Sequence, residues 1–373
     1  MQDSPVYLDH NATTPMRPAA IDAMSGVLGL TGNPSSVHSF GRNARKLLDQ
    51  ARGAVADLVG ADPAEVVFTS GGSEANDLAL NGLSHQELPL TVIASAGEHD
   101  SVRKAAPQTI FVPLTGDGRI DLSALEGLLA SQAEPALVSV MLANNETGVV
   151  QPLCDVVDLA HAAGALVHCD GVQASGKLAM DFAALEVDLL SLSAHKFGGP
   201  QGVGALVVRS GLDLKAQHRG GGQERNRRAG TENLPGIVGF GAAAATAEEV
   251  LAAQPCLALL RDDMEARLAQ VAPEVVFFGR QSERLANTSC FALPGVRAET
   301  QLMALDLAGV AVSAGSACSS GKVAPSHVLK AMGAEDDLAG AALRVSLGWQ
   351  TSEAEVDRLV EAWIAFYNRS RAA

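Results

Sequence analysis

Over the first two-thirds of the chain, short apolar runs rich in β-branched residues alternate with longer amphipathic stretches. That order predicts parallel strands covered by helices on both faces, an α/β fold. Strands are expected at Val66 to Thr69, Leu90 to Ala94, Thr109 to Leu114, Ala136 to Ala143, Ala165 to Asp170, Asp188 to Ser193 and Val203 to Arg209, with helical patterns between several of them, such as Cys154 to Ala163.

After Gly220-Gly221-Gly222 an Ala-rich helical region begins near Asn233 and leads toward Pro255, where the pattern changes and a domain boundary is expected. The remainder reads as helix, strand (Val275 to Gly279), strand (Asn287 to Leu293), helix, strand (Val310 to Ala314), strand (Leu343 to Leu347), helix. Such an order suits a smaller α+β unit, and Ser352 with Glu355 forms a capping box that opens the last helix.

A length of 373 residues points to one or two domains. With 47% hydrophobic and 18% charged residues, the chain has enough apolar surface to offset its folding entropy, which excludes a disordered linker. Lys and Arg number 27 against 42 Asp and Glu, a net charge of -15 that repels nucleic-acid phosphates and disfavours DNA or RNA binding.

The longest charge-free stretch, 23–41, is broken by Gly32, Asn33, Pro34, Ser35 and Ser36, so no transmembrane helix is expected. Met1-Gln2-Asp3-Ser4-Pro5 lacks the basic start and apolar run of a signal peptide, which makes a cytoplasmic location the expectation. Five Cys without CxxC spacing argue against a disulfide framework or a zinc ribbon and leave at least one thiol free.

In a parallel sheet, ligands sit beyond the carboxyl ends of the strands, and three such ends carry chemistry here. Thr69 to Asn76 turns through glycines into a helix start that suits a phosphate, although a plain strand-to-helix turn reads equally well. The strand ending at Asp170 presents a carboxylate, with the amide of Gln173 three residues later; a bare Asp there is commonly a cap. Lys196 follows an apolar strand and precedes Gly198 and Gly199, whereas most lysines are solvated surface charges. Together they match pyridoxal phosphate, which requires a Schiff-base lysine, an acid at its ring nitrogen and an anion site.

At this point the sequence closely resembles the cysteine desulfurases of the NifS/IscS group, in the class V aminotransferase superfamily of pyridoxal-phosphate enzymes. The landmarks are Tyr7 to Pro15, Gly32 to His38, Thr69 to Asn76, Glu98-His99, Asn144 to Gly148, the Asp170 and Lys196 segments, Gly221 to Glu224 with Gly230-Thr231, Ser316 to Ser320, and Arg344 to Gly348. The resemblance implies the aspartate aminotransferase-like fold type I. Residues 16–252 would form a large domain with a mostly parallel seven-stranded sheet, and 1–15 with 253–373 a smaller α+β domain.

Carried over by position, the resemblance implies that Lys196 forms the Schiff base and later moves the Cα proton, and that Asp170 pairs with the pyridinium nitrogen. His99 would stack on the ring, its alternative being a helix-start cap. Gln173 and Asn145 would lie near the phenolic oxygen, or else be turn residues. Gly72, Ser73, Ser193 and His195 would hold the phosphate, with Thr231 contributed by the second subunit of a homodimer. Arg344 would grip the substrate carboxylate, unless it is a surface ion pair.

Cys318 decides the reaction class, because transaminases of this superfamily need no cysteine nucleophile. Its segment, Gly315 to Gly321, is Gly/Ser-rich, a composition expected of a mobile exposed loop, whereas Cys154, Cys169, Cys256 and Cys290 lie on apolar segments that suit small buried hydrophobes. The implied reaction takes sulfur from L-cysteine, leaving L-alanine and a Cys318 persulfide for a sulfur-acceptor protein of iron–sulfur assembly or thiolation. The chain ends at Ala373 without the extended tail of the housekeeping members, which makes delivery to an iron–sulfur scaffold a weaker expectation than sulfur release itself. A transaminase or selenocysteine lyase of the same fold is the alternative, and a non-catalytic interaction subunit is a third reading.

Overall fold

The computed structural model describes residues 4–86, 88–106, 108–315 and 325–372. Its central layer is a seven-stranded sheet in the order Val66–Thr69, Gly204–Val208, Leu189–Ser193, Leu166–Asp170, Ala136–Met141, Thr91–Ser95, Ile110–Val112. Only Gly204–Val208 runs antiparallel to its neighbours. All seven expected strands are present, with ends displaced by at most two residues. All six residues of Ala136–Met141 are buried, which accounts for a continuous apolar run in place of polar alternation.

Helices cover this sheet with apolar stripes. In Ser39–Leu58, Ala44, Leu48, Ala51 and Val55 recur every three or four residues and are buried. Gly241, in the helix Leu234–Ala244, sits so close to that stripe that a Cβ there would fall 2.7 Å from the Ala51 Cα. A side chain at 241 would push the two helices apart.

The change of pattern at Pro255 does not end an element: the helix Ala247–Val271 runs through it. Pro255 is exposed, so water can serve the carbonyl that loses its intrahelical N–H. Beyond it, Val276–Phe278, Thr288–Ala292, Ala342–Ser346 and Ser313–Ala314 form an antiparallel sheet in that order. The expected strand Val310 to Ala314 divides, since Val310–Ala311 pairs instead with Val6–Tyr7. This layer has its own core, which includes Leu8, Met264, Phe291, Leu343 and Trp363. The capping box is formed, with Ser352 N donating to Glu355 Oε2 at 2.8 Å and Glu355 N to Ser352 Oγ at 3.4 Å.

No single described helix is long and apolar enough to cross a membrane. Because six of the seven central strands point the same way, their carboxyl ends share one edge. The second sheet delivers Arg344 to that edge, and His10 N donates to Ser346 O at 3.2 Å, which brings residues 9–12 there as well.

Candidate active site

A cavity of about 330 Å³ opens at this edge. It collects Gly72 and Ser73, His99, Asn145, Asp170 and Gln173, Ser193, His195, Lys196 and Arg344. Six separate chain segments thus converge on one space. Thr231, by contrast, is exposed and does not line this chain's cavity. Cys318 lies outside the described residues.

The acid is held from two sides. Asn76 Nδ2 donates to Asp170 Oδ2 at 2.7 Å and Val172 N donates to Oδ1 at 3.0 Å. Two residues back on the same strand, His168 is fully buried between Ser139 Oγ and Ser191 Oγ, each 2.9 Å from a ring nitrogen. Burial lowers the His168 pKa to about 4, so a neutral ring lies behind the carboxylate.

Beyond the strand Val66–Thr69, the helix Gly72–Asn81 begins with N–H groups that no preceding helical carbonyl can serve. A Cβ on Gly72 would lie 2.7 Å from Val172 Cγ2 and 3.3 Å from the Ser193 Cβ. Glycine therefore lets the helix start press against the two neighbouring loops. His195 Nδ1 is 3.2 Å from Thr13 Oγ1, and burial followed by the Lys196 charge lowers its pKa to about 4.

The Lys196 amine donates to Asn11 O at 2.6 Å and Ala12 O at 2.9 Å. Gln173 Nε2 donates to the same Asn11 O at 2.9 Å. Asn11 was not singled out as a site residue, yet it reaches both sheets: its Nδ2 donates to Asn145 O at 3.2 Å and Thr288 Oγ1 at 2.9 Å, and its N donates to Ser346 Oγ at 2.9 Å. The signal available was its place inside the Tyr7 to Pro15 landmark.

His99 lines the cavity and also caps the short helix Asp100–Arg103, its Nδ1 accepting from Ser101 N at 3.1 Å. Arg344 is 2% exposed, so it is no surface pair; its Nη2 donates to Asp9 Oδ1 at 2.7 Å and its Nη1 to Asn145 O at 3.1 Å. Arg344 Nε is buried and has no hydrogen-bond partner among the described residues. That leaves a guanidinium donor available on a cavity-lining residue.

Two buried carboxyls flank the site. Glu98 accepts from Met141 N at 2.7 Å, and burial followed by Asp170 raises its pKa well above the usual carboxyl value. Burial raises Glu146 to about 7 despite a hydrogen bond from Ser326. The cysteine expectation needs correction: Cys169 and Cys290 are buried, but Cys154 and Cys256 are exposed. Both sit on helices, where an apolar neighbourhood in sequence does not say which way a side chain points.

An amine and a carboxylate across one cavity, a helix start suited to an anion and a guanidinium with an open donor fit a ligand carrying phosphate, a basic ring nitrogen and a carboxylate. The pattern of the Aminotransferase class-V family matches residues 6–359. A cysteine desulfurase of Cereibacter sphaeroides is 44% identical over 98% of this chain and 97% of its own. An IscS-like cysteine desulfurase of Mycobacterium tuberculosis is 39% identical over 98% and 97%. Among solved structures, a NifS-like protein from Rickettsia africae superposes with a TM-score of 0.91 at 32% identity, covering 98% of this chain and 99% of that one.

Proposed function

From the premise that this chain belongs to the class-V aminotransferase family and is an enzyme of its cysteine-desulfurase branch, we propose how its own residues divide the work. Pyridoxal 5'-phosphate is the cofactor to which the site is fitted. The single observation that carries this reading is the meeting of Lys196, Asp170 and Arg344 at one cavity. Lys196 would hold the aldehyde carbon, Asp170 the ring nitrogen, and Gly72, Ser73, Ser193 and His195 the phosphate. His99 would lie against the ring, with Gln173 and Asn145 near its phenolic oxygen. When bound, the cofactor supplies an electron sink for charge that develops at the substrate Cα.

Arg344 grips the α-carboxylate of L-cysteine with the planar fork that suits a carboxylate, in competition with its resting partner Asp9. The Lys196 amine takes the Cα proton and returns it later. The Cys318 thiolate attacks the substrate Sγ: a bond between the two sulfurs forms, the Cβ–Sγ bond breaks, and the carbon skeleton leaves as L-alanine. L-cysteine and a thiol thus become L-alanine and a persulfide, with no outside oxidant. His99, which lines the cavity, would carry the substrate thiol proton. A cytoplasmic sulfur-acceptor protein, of iron–sulfur assembly or thiolation, then takes the persulfide.

A second copy of the chain completes the enzyme in this reading. Between residues 21 and 40, Ile21, Leu28, Leu30, Val37 and Phe40 are exposed, an apolar load that a homodimer would cover. Thr231, exposed here, would then serve the phosphate end of the second copy's cavity.

The test is direct. The purified protein should be yellow, borohydride should bleach the band and fix the cofactor to the peptide bearing Lys196, and L-cysteine should yield L-alanine with one extra sulfur on the Cys318 peptide. A colourless protein that takes up no pyridoxal phosphate overturns the proposal. A Cys318→Ala variant that still consumes L-cysteine at the parental rate would point instead to transaminase chemistry.

A further inference from the structure

Lys177 is a second lysine at this site, and the scheme above gives it nothing to do. It is 8% exposed, in the turn that follows Asp170. A buried lysine is costly unless its donors are used. Its Nζ donates to Asn11 Oδ1 at 2.8 Å and to Gln173 Oε1 at 2.8 Å.

These contacts close a ring. Gln173 accepts from Lys177 on its Oε1 and donates its Nε2 to Asn11 O, while Asn11 Oδ1 accepts a second bond from Lys177. An amide whose oxygen is already engaged cannot flip without losing two bonds, so Lys177 fixes which end of Gln173 faces Asn11. The carbonyl held in this way is the one that also accepts from Lys196 at 2.6 Å.

We propose that Lys177 is a positioning residue that sets the place of the Lys196 amine through Asn11 and Gln173. The proposal rests on Lys196 being the amine that takes the cofactor. Burial, then the charges of Lys196 and Arg344, hold the Lys177 amine well below the usual lysine range. His10 also faces it, its pKa lowered to about 4 by burial and by Lys177, so the ring adds no charge at neutral pH. Two of the amine's donors are used on Asn11 Oδ1 and Gln173 Oε1, and this geometry ties it to the two residues that hold the Lys196 amine.

Lys177→Met removes both donors at similar length, and Lys177→Gln restores a neutral donor on a shorter arm. Each is compared with the parent for apoprotein melting temperature, for the rate of pyridoxal phosphate uptake, and for the pH midpoint of the visible band. Lys177→Met should melt within a few degrees of the parent, yet take up cofactor about tenfold more slowly with a displaced midpoint; Lys177→Gln should recover part of both.

If Lys177→Met folds and matches the parent in uptake and midpoint, the proposal is wrong. It is equally wrong if neither variant folds, since Lys177 would then be a structural donor only. A parent protein that takes up no pyridoxal phosphate overturns the underlying reading of Lys196, a distinct result visible before any variant is made.

Discussion

Asn76 joins Asp170 to the His99 cap: one carboxamide nitrogen donates to Asp170 Oδ2 at 2.7 Å and to Ser101 Oγ at 2.8 Å, and Ser101 Oγ is in turn 2.8 Å from His99 Nδ1. The Asp170 carboxylate and the Ser101 hydroxyl beside His99 are therefore held by a single side chain. Asn76→Leu removes the shared donor at similar size, and cofactor affinity should fall about tenfold. Asp170→Asn removes the charge itself, and alanine formation should fall by about a hundredfold or more. Titration of the visible band gives the first number and an alanine assay the second; equal affinity in Asn76→Leu would show that the carboxylate is oriented without it.

Cys318 should separate cofactor binding from sulfur transfer. Cys318→Ala is expected to keep the yellow band and to lose persulfide and sulfide formation. A thiol near its reference pKa of about 8.5 is only a few per cent ionised at neutral pH, so persulfide formation in the parent should accelerate as pH rises toward that value. Stopped-flow measurement across that range checks it, and a flat profile would mean that thiolate formation does not limit the step.

Much of this site was legible in the chain because its main parts directly follow strands. Asp170, Ser193 and Lys196 stand at or just beyond apolar runs, and topology alone carries such positions to one edge. Asn11, Asn76 and Lys177 were not legible in that way. Lys177 reads as an ordinary turn lysine, and its burial arises only when residue 11 and the turn after Asp170 pack together, with the Lys196 and Arg344 charges close by. Asn76 lies inside a helix, where sequence periodicity cannot reveal a carboxylate supplied by a residue 94 positions away. The same limit explains Pro255: the break in pattern is real in sequence, but an exposed proline at that point is tolerated by the helix.

Two buried histidines and one half-buried one should make the fold acid-sensitive. His168, His10 and His195 each have a pKa lowered to about 4 in the folded state, by burial first in all three. Each folded pKa lies below the unfolded value of about 6.5, so the stability linked to a neutral ring is present above that pH and is lost as pH falls through about 4. The buried rings of His168 and His10 each contribute a slope of up to about 1.4 kcal/mol per pH unit in that window, and the half-buried His195, screened by solvent, contributes less. His168→Asn should flatten the acid limb by one such contribution, read from denaturant midpoints at pH 4, 5 and 6.5. Parallel limbs for parent and variant would place the titrating group elsewhere.

The buried pair Arg52 and Glu224 should be strongly coupled. Two bonds of 2.7 Å join guanidinium and carboxylate, Glu224 Oε2 also accepts from Phe68 N at 3.0 Å, and Arg52 Nη1 donates to Val66 O at 2.7 Å. This pair fastens the segment carrying Glu224, Arg225 and Asn226, three consecutive non-glycine residues with positive φ, to the edge strand Val66–Thr69. Such backbone persists only where its surroundings hold it. Glu224→Gln keeps the shape but leaves a buried guanidinium without its counter-charge, at a cost of about 3–5 kcal/mol. Arg52→Met combined with Glu224→Gln removes both charges and should cost less than the two single changes added together. Melting temperatures of the four proteins complete the cycle. If the single changes simply add, the two side chains act independently and the loop is held by its backbone contacts, such as Arg227 N to Glu224 O at 3.0 Å.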